Sequence, residues 1–120
     1  MTDRRALIRQ YKDTPRPMGV YCVRNLTNGK VLIGVARDVA GKLNGHRAEL
    51  RMRSHRNAAL QADWNALGAD AFAFETLDLL APSDVPGYDP GDDLRVLEDL
   101  WLQKLQPFGE RGYNTPRRSA

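Results

Sequence analysis

Cysteine is all but missing from this chain. Cys22 is the single one in 120 residues, which excludes an internal disulfide framework and any multi-cysteine zinc site. No apolar run approaches the ~20 residues that a membrane-spanning helix needs. The opening Met1-Thr2-Asp3-Arg4-Arg5 has none of the apolar stretch that a secretory signal carries. No internal repeat and no low-complexity segment is present. Together these absences lead us to expect a reducing, cytoplasmic setting without a membrane. Apolar residues at 42% and charged residues at 28% describe a globular chain, not a disordered one. Its length suits one domain.

Net charge is small and uneven in place. The net charge is +3, only mildly suggestive of nucleic acid by itself. Residues 37–56 carry Arg37, Lys42, Arg47, Arg51, Arg53 and Arg56 against Asp38 and Glu49, a balance of +4, and the arm over residues 1–17 is +3. Residues 63–99 hold ten carboxylates against Arg95 alone, a balance of −9. A basic face opposite an acidic one suits a phosphate backbone on one side; it equally suits helices that each carry a solvated charged face.

Hydrophobic spacing predicts a helix over residues 3–12, stopped by Thr14-Pro15-Arg16-Pro17. Strands follow at 18–25 and 31–36, joined by the tight turn that Asn28-Gly29 signals. The second strand is apolar on both faces and is expected to be central in its sheet. Asp38 is positioned to cap a helix over 39–52 with a stripe of Val39, Leu43, His46 and Leu50. Gly41 and Gly45 inside it each cost roughly 1 kcal/mol against alanine, so packing or function is expected to require them. A further helix, with Ser54 near its start and Leu60, Trp64 and Leu67 facing inward, ends at Gly68. A third strand at 72–80, a surface loop at 81–91 and a helix opened by Asp92 or Asp93 complete the pattern, with Gly112-Tyr113-Asn114 returning toward the sheet. The expected fold is α+β: a small, three-stranded, mostly antiparallel sheet flanked by helices, with an extra N-terminal helix. The division is an arm at 1–17, a domain at 18–114 and a basic tail at 115–120.

Two polar residues fall on apolar stripes. Glu98 sits beside Leu94, Leu97, Trp101 and Leu105 of the last helix, where an unpaired carboxylate is costly and a cation, donor or metal ion is expected. His46 holds the matching place on the helix after the hairpin, with Lys42 one turn before it. Tyr21 is on the first strand. Structural roles account for each taken alone: a salt bridge, a half-buried histidine, an aromatic on a sheet face. Taken together, a phenol, a cation, an imidazole and a carboxylate make the inventory for metal-assisted attack on a phosphodiester, and they also fit a binding pocket. Spacing does not choose between the two.

Gly19-Val20-Tyr21, Asn28-Gly29-Lys30 and Leu32-Ile33-Gly34 together resemble the signature of the GIY-YIG nuclease superfamily. His46 stands twelve residues after Gly34, where homing-endonuclease members carry a histidine. His55-Arg56-Asn57-Ala58-Ala59-Leu60-Gln61, Leu97-Glu98-Asp99-Leu100-Trp101 and Gly112-Tyr113-Asn114 resemble later family motifs in order and spacing, so the likeness spans roughly 18–114. The resemblance implies a metal-dependent endonuclease acting on DNA in preference to RNA. In it Tyr21 activates the attacking water, and Glu98 is the acidic ligand of one Mg²⁺ or Mn²⁺. His46 supports the site, Asn114 orients other groups, and His55 and Asn57 mostly shape the fold. Arg37, Arg47, Arg51, Arg53 and Arg56 are the expected nucleic-acid contacts. Two departures stand out. The family's second tyrosine is Leu32, and the phosphate-clamping arginine, eight residues after Gly34, is Lys42, which keeps the charge but not the bidentate fork. Losing one oriented donor costs roughly 3 kcal/mol of transition-state stabilisation, so reduced activity is expected. The alternatives are a catalytically inactive nucleic-acid-binding module that keeps the fold, and a protein-interaction module using the acidic stretch. The sequence sets no oligomeric state.

Overall fold

The structure, a computed structural model, describes residues 16–116. The predicted helix at 3–12 and residues 117–120 of the basic tail lie outside the described residues. Strands β1 (Met18–Asn25), β2 (Val31–Ala36) and β3 (Phe72–Leu80) form one sheet in the order β2-β1-β3, with both pairings antiparallel. Helices α1 (Val39–Arg51), α2 (Ala58–Leu67) and α3 (Gly91–Leu105) flank it. This is the α+β arrangement expected from the hydrophobic pattern. No helix among the described residues is long and apolar enough to cross a membrane.

The hairpin closes where the sequence signalled it. Asn25 O accepts from Gly29 N at 2.8 Å, and Gly29 takes a φ of 78° that the turn requires. Because successive side chains of a strand point to opposite faces, β1 serves two cores. Val23 packs with Leu50, Leu60, Trp64 and Phe72 beneath α1 and α2. Val20 and Cys22 join Val31 and Ile33 beneath Leu97, Trp101 and Leu105 of α3. The central strand is therefore β1, not β2 as its two apolar faces suggested. The outer edge of β2 is closed instead by the last described segment: Tyr113 N donates to Val31 O at 2.9 Å, and the Asn114 amide bonds both Ile33 N and Ile33 O at 2.8 Å. β2 is apolar on both faces because Leu32 meets the core under α1 and α2 while Val31 and Ile33 meet the core under α3.

Three local expectations change. Asn57, not Ser54, caps α2, its side chain accepting from Leu60 N at 3.0 Å. Helix α3 begins at Gly91 behind Pro90, with no side-chain cap; Asp92 and Asp93 lie in its first turn, where they suit the helix dipole. Leu67 is 44% exposed because α2 ends beside it, at Gly68. Asp38 caps α1 as expected, accepting from Gly41 N at 3.1 Å and from Arg16 at 3.0 Å.

Candidate active site

On β1, Tyr21 lies at a break in regularity. The β1–β3 register slips between Val20, opposite Asp78, and Tyr21, opposite Thr76, which marks a bulge. Across the other pairing Tyr21 faces Gly34. A Cβ at Gly34 would collide with the Tyr21 hydroxyl, so glycine there lets the phenol lie over β2. The ring is 5% exposed and its hydroxyl is 2.8 Å from Nε2 of His46, on the inner face of α1. Nδ1 of His46 is in turn 2.8 Å from Nε2 of His55, in the α1–α2 connection. The chain ends on backbone: Asn57 N donates to Nδ1 of His55 at 3.0 Å.

That last bond sets the direction of all the others. Nδ1 of His55 accepts, so its neutral ring carries hydrogen on Nε2 and donates to Nδ1 of His46. His46 then carries its hydrogen on Nε2 and donates to the Tyr21 oxygen. His55 is itself held: its backbone N donates to Gln61 Oε1 at 3.0 Å, and Gln61 Nε2 donates to Leu50 O at 3.0 Å. Burial pushes His46 down to about 4, helped by the His55 charge and the cation of Lys42. Burial lowers His55 as well, against the pull of Glu49. Both rings are neutral at neutral pH, as the chain requires. Burial raises Tyr21 to about 12, with Arg56 drawing it partly back.

Tyr21, His46 and His55 line an open cleft of about 530 Å³ together with Leu32, Arg56 and Asn114. The sequence-predicted Tyr21, His46 and Asn114 thus meet in one place, although both ends of the Asn114 amide are spent on Ile33. Lys42 lines a smaller depression of about 90 Å³ with Gly45, His46, Glu49 and Arg56. Glu98 is half-buried on α3, the helix on the opposite face of the sheet, and is not among the residues lining the cleft. Leu32 packs against the α1–α2 core. The expected basic contacts separate into different roles. Arg37 donates to Asp89 at 2.7 Å, and the Arg47 guanidinium lies 4.5 Å from the Phe74 ring centre. Arg51, Arg53 and Arg56 are exposed.

Sequence reasoning set His55 down as a shaper of the fold and did not single out Glu49. The signal for His55 was its spacing of two from Asn57, which lets an imidazole accept from a backbone amide. His46, Glu49 and His55 bring one ligand atom each within 4.8 Å of one another. At 2.8 Å the two ring nitrogens share a proton. An ion gripped there has to displace it, and the Asn57 amide opposes that by holding Nδ1 of His55 as the acceptor. Mg²⁺ and Mn²⁺ prefer oxygen donors. The residues lining the cleft include no carboxylate, and Glu98, the expected ligand of such an ion, lies on α3 apart from that lining.

Among solved structures, the catalytic domain of homing endonuclease I-TevI matches 83% of this chain and 99% of its own, at 26% identity and a TM-score of 0.66. A mutant of the same intron endonuclease domain matches 82% of this chain and 92% of its own, at 24% identity and a TM-score of 0.66. No protein-family model matches the chain, and no curated protein does.

Proposed function

The chain has the GIY-YIG nuclease fold, and on that premise we propose that it hydrolyses phosphodiester bonds in DNA with the aid of one divalent ion, Mg²⁺ or Mn²⁺. The observation that carries this reading is the polarity of the hydrogen-bond chain. Running from the Asn57 amide through His55 and His46, it ends with an N–H donated to the Tyr21 oxygen. A donor fixed there stabilises negative charge on that oxygen.

In the proposed reaction the Tyr21 oxygen, as phenolate, takes a proton from a water molecule. The water oxygen bonds to phosphorus, the bond from phosphorus to one ester oxygen breaks, and the departing oxygen takes its proton from solvent. His46 stays neutral and donates throughout, so it positions and stabilises the base without itself exchanging a proton. Glu98 would be the residue to hold the divalent ion, which when bound would supply positive charge to the reaction. Asn114 keeps the edge of β2 in place, and with it the residues facing Tyr21. With Tyr21 near 12, the phenolate is about one part in 10⁴ at pH 8. Slow turnover follows.

The test is incubation of the protein with labelled single-stranded, duplex and branched DNA, with Mn²⁺ or with EDTA, beside Y21F and E98A variants. Metal-dependent cleavage that both substitutions abolish is expected. Cleavage that persists undiminished in Y21F would sink the proposed chemistry. Leu32 favours a second reading, a module that binds nucleic acid without cutting it. It packs into the core where the family's second tyrosine would stand, and offers neither water nor phosphate a polar atom. On that reading DNA is left intact in every condition, yet is bound in a strongly salt-dependent way.

A further inference from the structure

On α1, the position matching the family's phosphate-clamping arginine holds Lys42, a point charge without a planar fork. A guanidinium reaches the same place from another element. Arg56 lies in the α1–α2 connection between two anchored neighbours. His55 is bonded through its backbone and both ring nitrogens, while the Asn57 side chain caps α2 and donates to Tyr113 O at 2.7 Å. Arg56 lines both the cleft at Tyr21 and the smaller depression shared with Lys42 and Glu49. Its charge acts on Tyr21, His46 and His55 together. Among the described residues Arg24 and Arg37 have carboxylate partners, whereas neither Arg56 nor Lys42 forms an ion pair. Two cations against the single carboxylate of Glu49 leave the depression positive. Gly45 also lines it, and a Cβ there would meet nothing within 4 Å. No packing contact among the described residues explains that glycine, and its bare surface leaves room for a bulky group in the depression that the two cations line.

We propose that Arg56 grips the non-bridging oxygens of the phosphodiester presented to Tyr21, with Lys42 as the second cation across the depression. The guanidinium clamp has moved from α1 to the α1–α2 connection. A planar fork satisfies two phosphate oxygens at once, which an ammonium cannot do. This inference rests on the hydrolase reading, but binding tests it separately from cleavage.

The probe is thymidylyl-thymidine, which carries one phosphodiester and no other phosphate. It is titrated at low salt into wild type, R56A, R56K and R95A, and followed by NMR at the imidazole resonances of His46 and His55. Circular dichroism confirms that each variant is folded. Wild type is expected to saturate, with R56A weaker by about 10-fold or more, R56K intermediate, and R95A unchanged as the control for loss of one charge. Cleavage of single-stranded DNA in Mn²⁺ is expected to fall about 10²-fold in kcat for R56A. Equal dinucleotide binding by R56A and wild type, or no binding by wild type, overturns the clamp. Arg56-dependent binding by a protein that never cleaves upholds the clamp and removes the hydrolase reading. Cleavage at the wild-type rate in R56A does the reverse.

Discussion

Taking the protein from pH 7 toward pH 4 forces a charge onto a ring that the fold keeps neutral. His46 is 9% exposed, and both of its nitrogens are committed, one receiving a hydrogen from His55 and the other donating to Tyr21. Protonation would turn Nδ1 into a donor aimed at the donor on His55. Burial, the His55 charge and the Lys42 cation act against it, and the folded value drops from 6.5 to about 4. Between those values the unfolded chain binds a proton that the folded chain refuses. Stability therefore falls as the pH drops below about 6.5 and levels off below about 4, a loss of up to about 3 kcal/mol. His55 is depressed as well and adds in the same direction. For a domain stable by ~5–15 kcal/mol the fold survives, but the urea midpoint should move down by roughly 1–3 M. The assay is urea unfolding followed by Trp64 and Trp101 fluorescence at several pH values between 7 and 4.5, for wild type and H46Q. Wild type should lose stability steeply through this window. H46Q should keep only the shallower slope owed to His55. A wild-type curve as flat as that of H46Q would refute the neutral, directed chain.

Two further outcomes follow from the same geometry. With Tyr21 held near 12 by burial, kcat/KM should climb about tenfold per pH unit between pH 7 and 9; a bell centred near pH 7 would assign the proton to a histidine instead. In G45A a methyl group enters open space on a half-buried helix position, so the variant should gain up to about 1 kcal/mol of stability while binding DNA more weakly. Destabilisation, or unchanged affinity, would remove the reason given for that glycine.

Much of the fold was legible because its signals are local. The strand at 18–25, the Asn28-Gly29 turn, the Asp38 cap and the stripe Val39-Leu43-His46-Leu50 each lie within one short stretch of chain, and each appears where it was read. The misplaced centre of the sheet has the opposite character. What covers β2 is Tyr113 and Asn114, eighty-one residues from Ile33 in the case of Asn114. No window of sequence contains both sides of that contact, so a covered edge and a central strand looked alike. Leu67 fails for a related reason: helical spacing points it inward, but the helix stops before there is anything to pack against it.

The site divides along the same line. Tyr21, His46 and Asn114 were brought together by the resemblance to the GIY-YIG motifs, with spacing alone leaving their roles open. The direction of the hydrogen bonds could not be read, because it originates in a backbone amide, Asn57 N, which every residue but proline possesses. The role proposed for Arg56 was hidden in a similar way. As one of several arginines in a basic stretch it was indistinguishable from Arg51 or Arg53 until the neighbours on either side were seen to be anchored and the residue itself to line the cleft. This bears on the two departures from the family pattern. Leu32 supplies core contacts, so the polar work of that position is not recoverable from β2. Lys42 stands within one depression of Arg56, so the work of the missing arginine is recoverable from the α1–α2 connection. The first loss removes an oriented hydroxyl and the second does not remove a guanidinium. Any deficit in turnover should therefore lie with the water and the slow ionisation of Tyr21 rather than with the grip on phosphate.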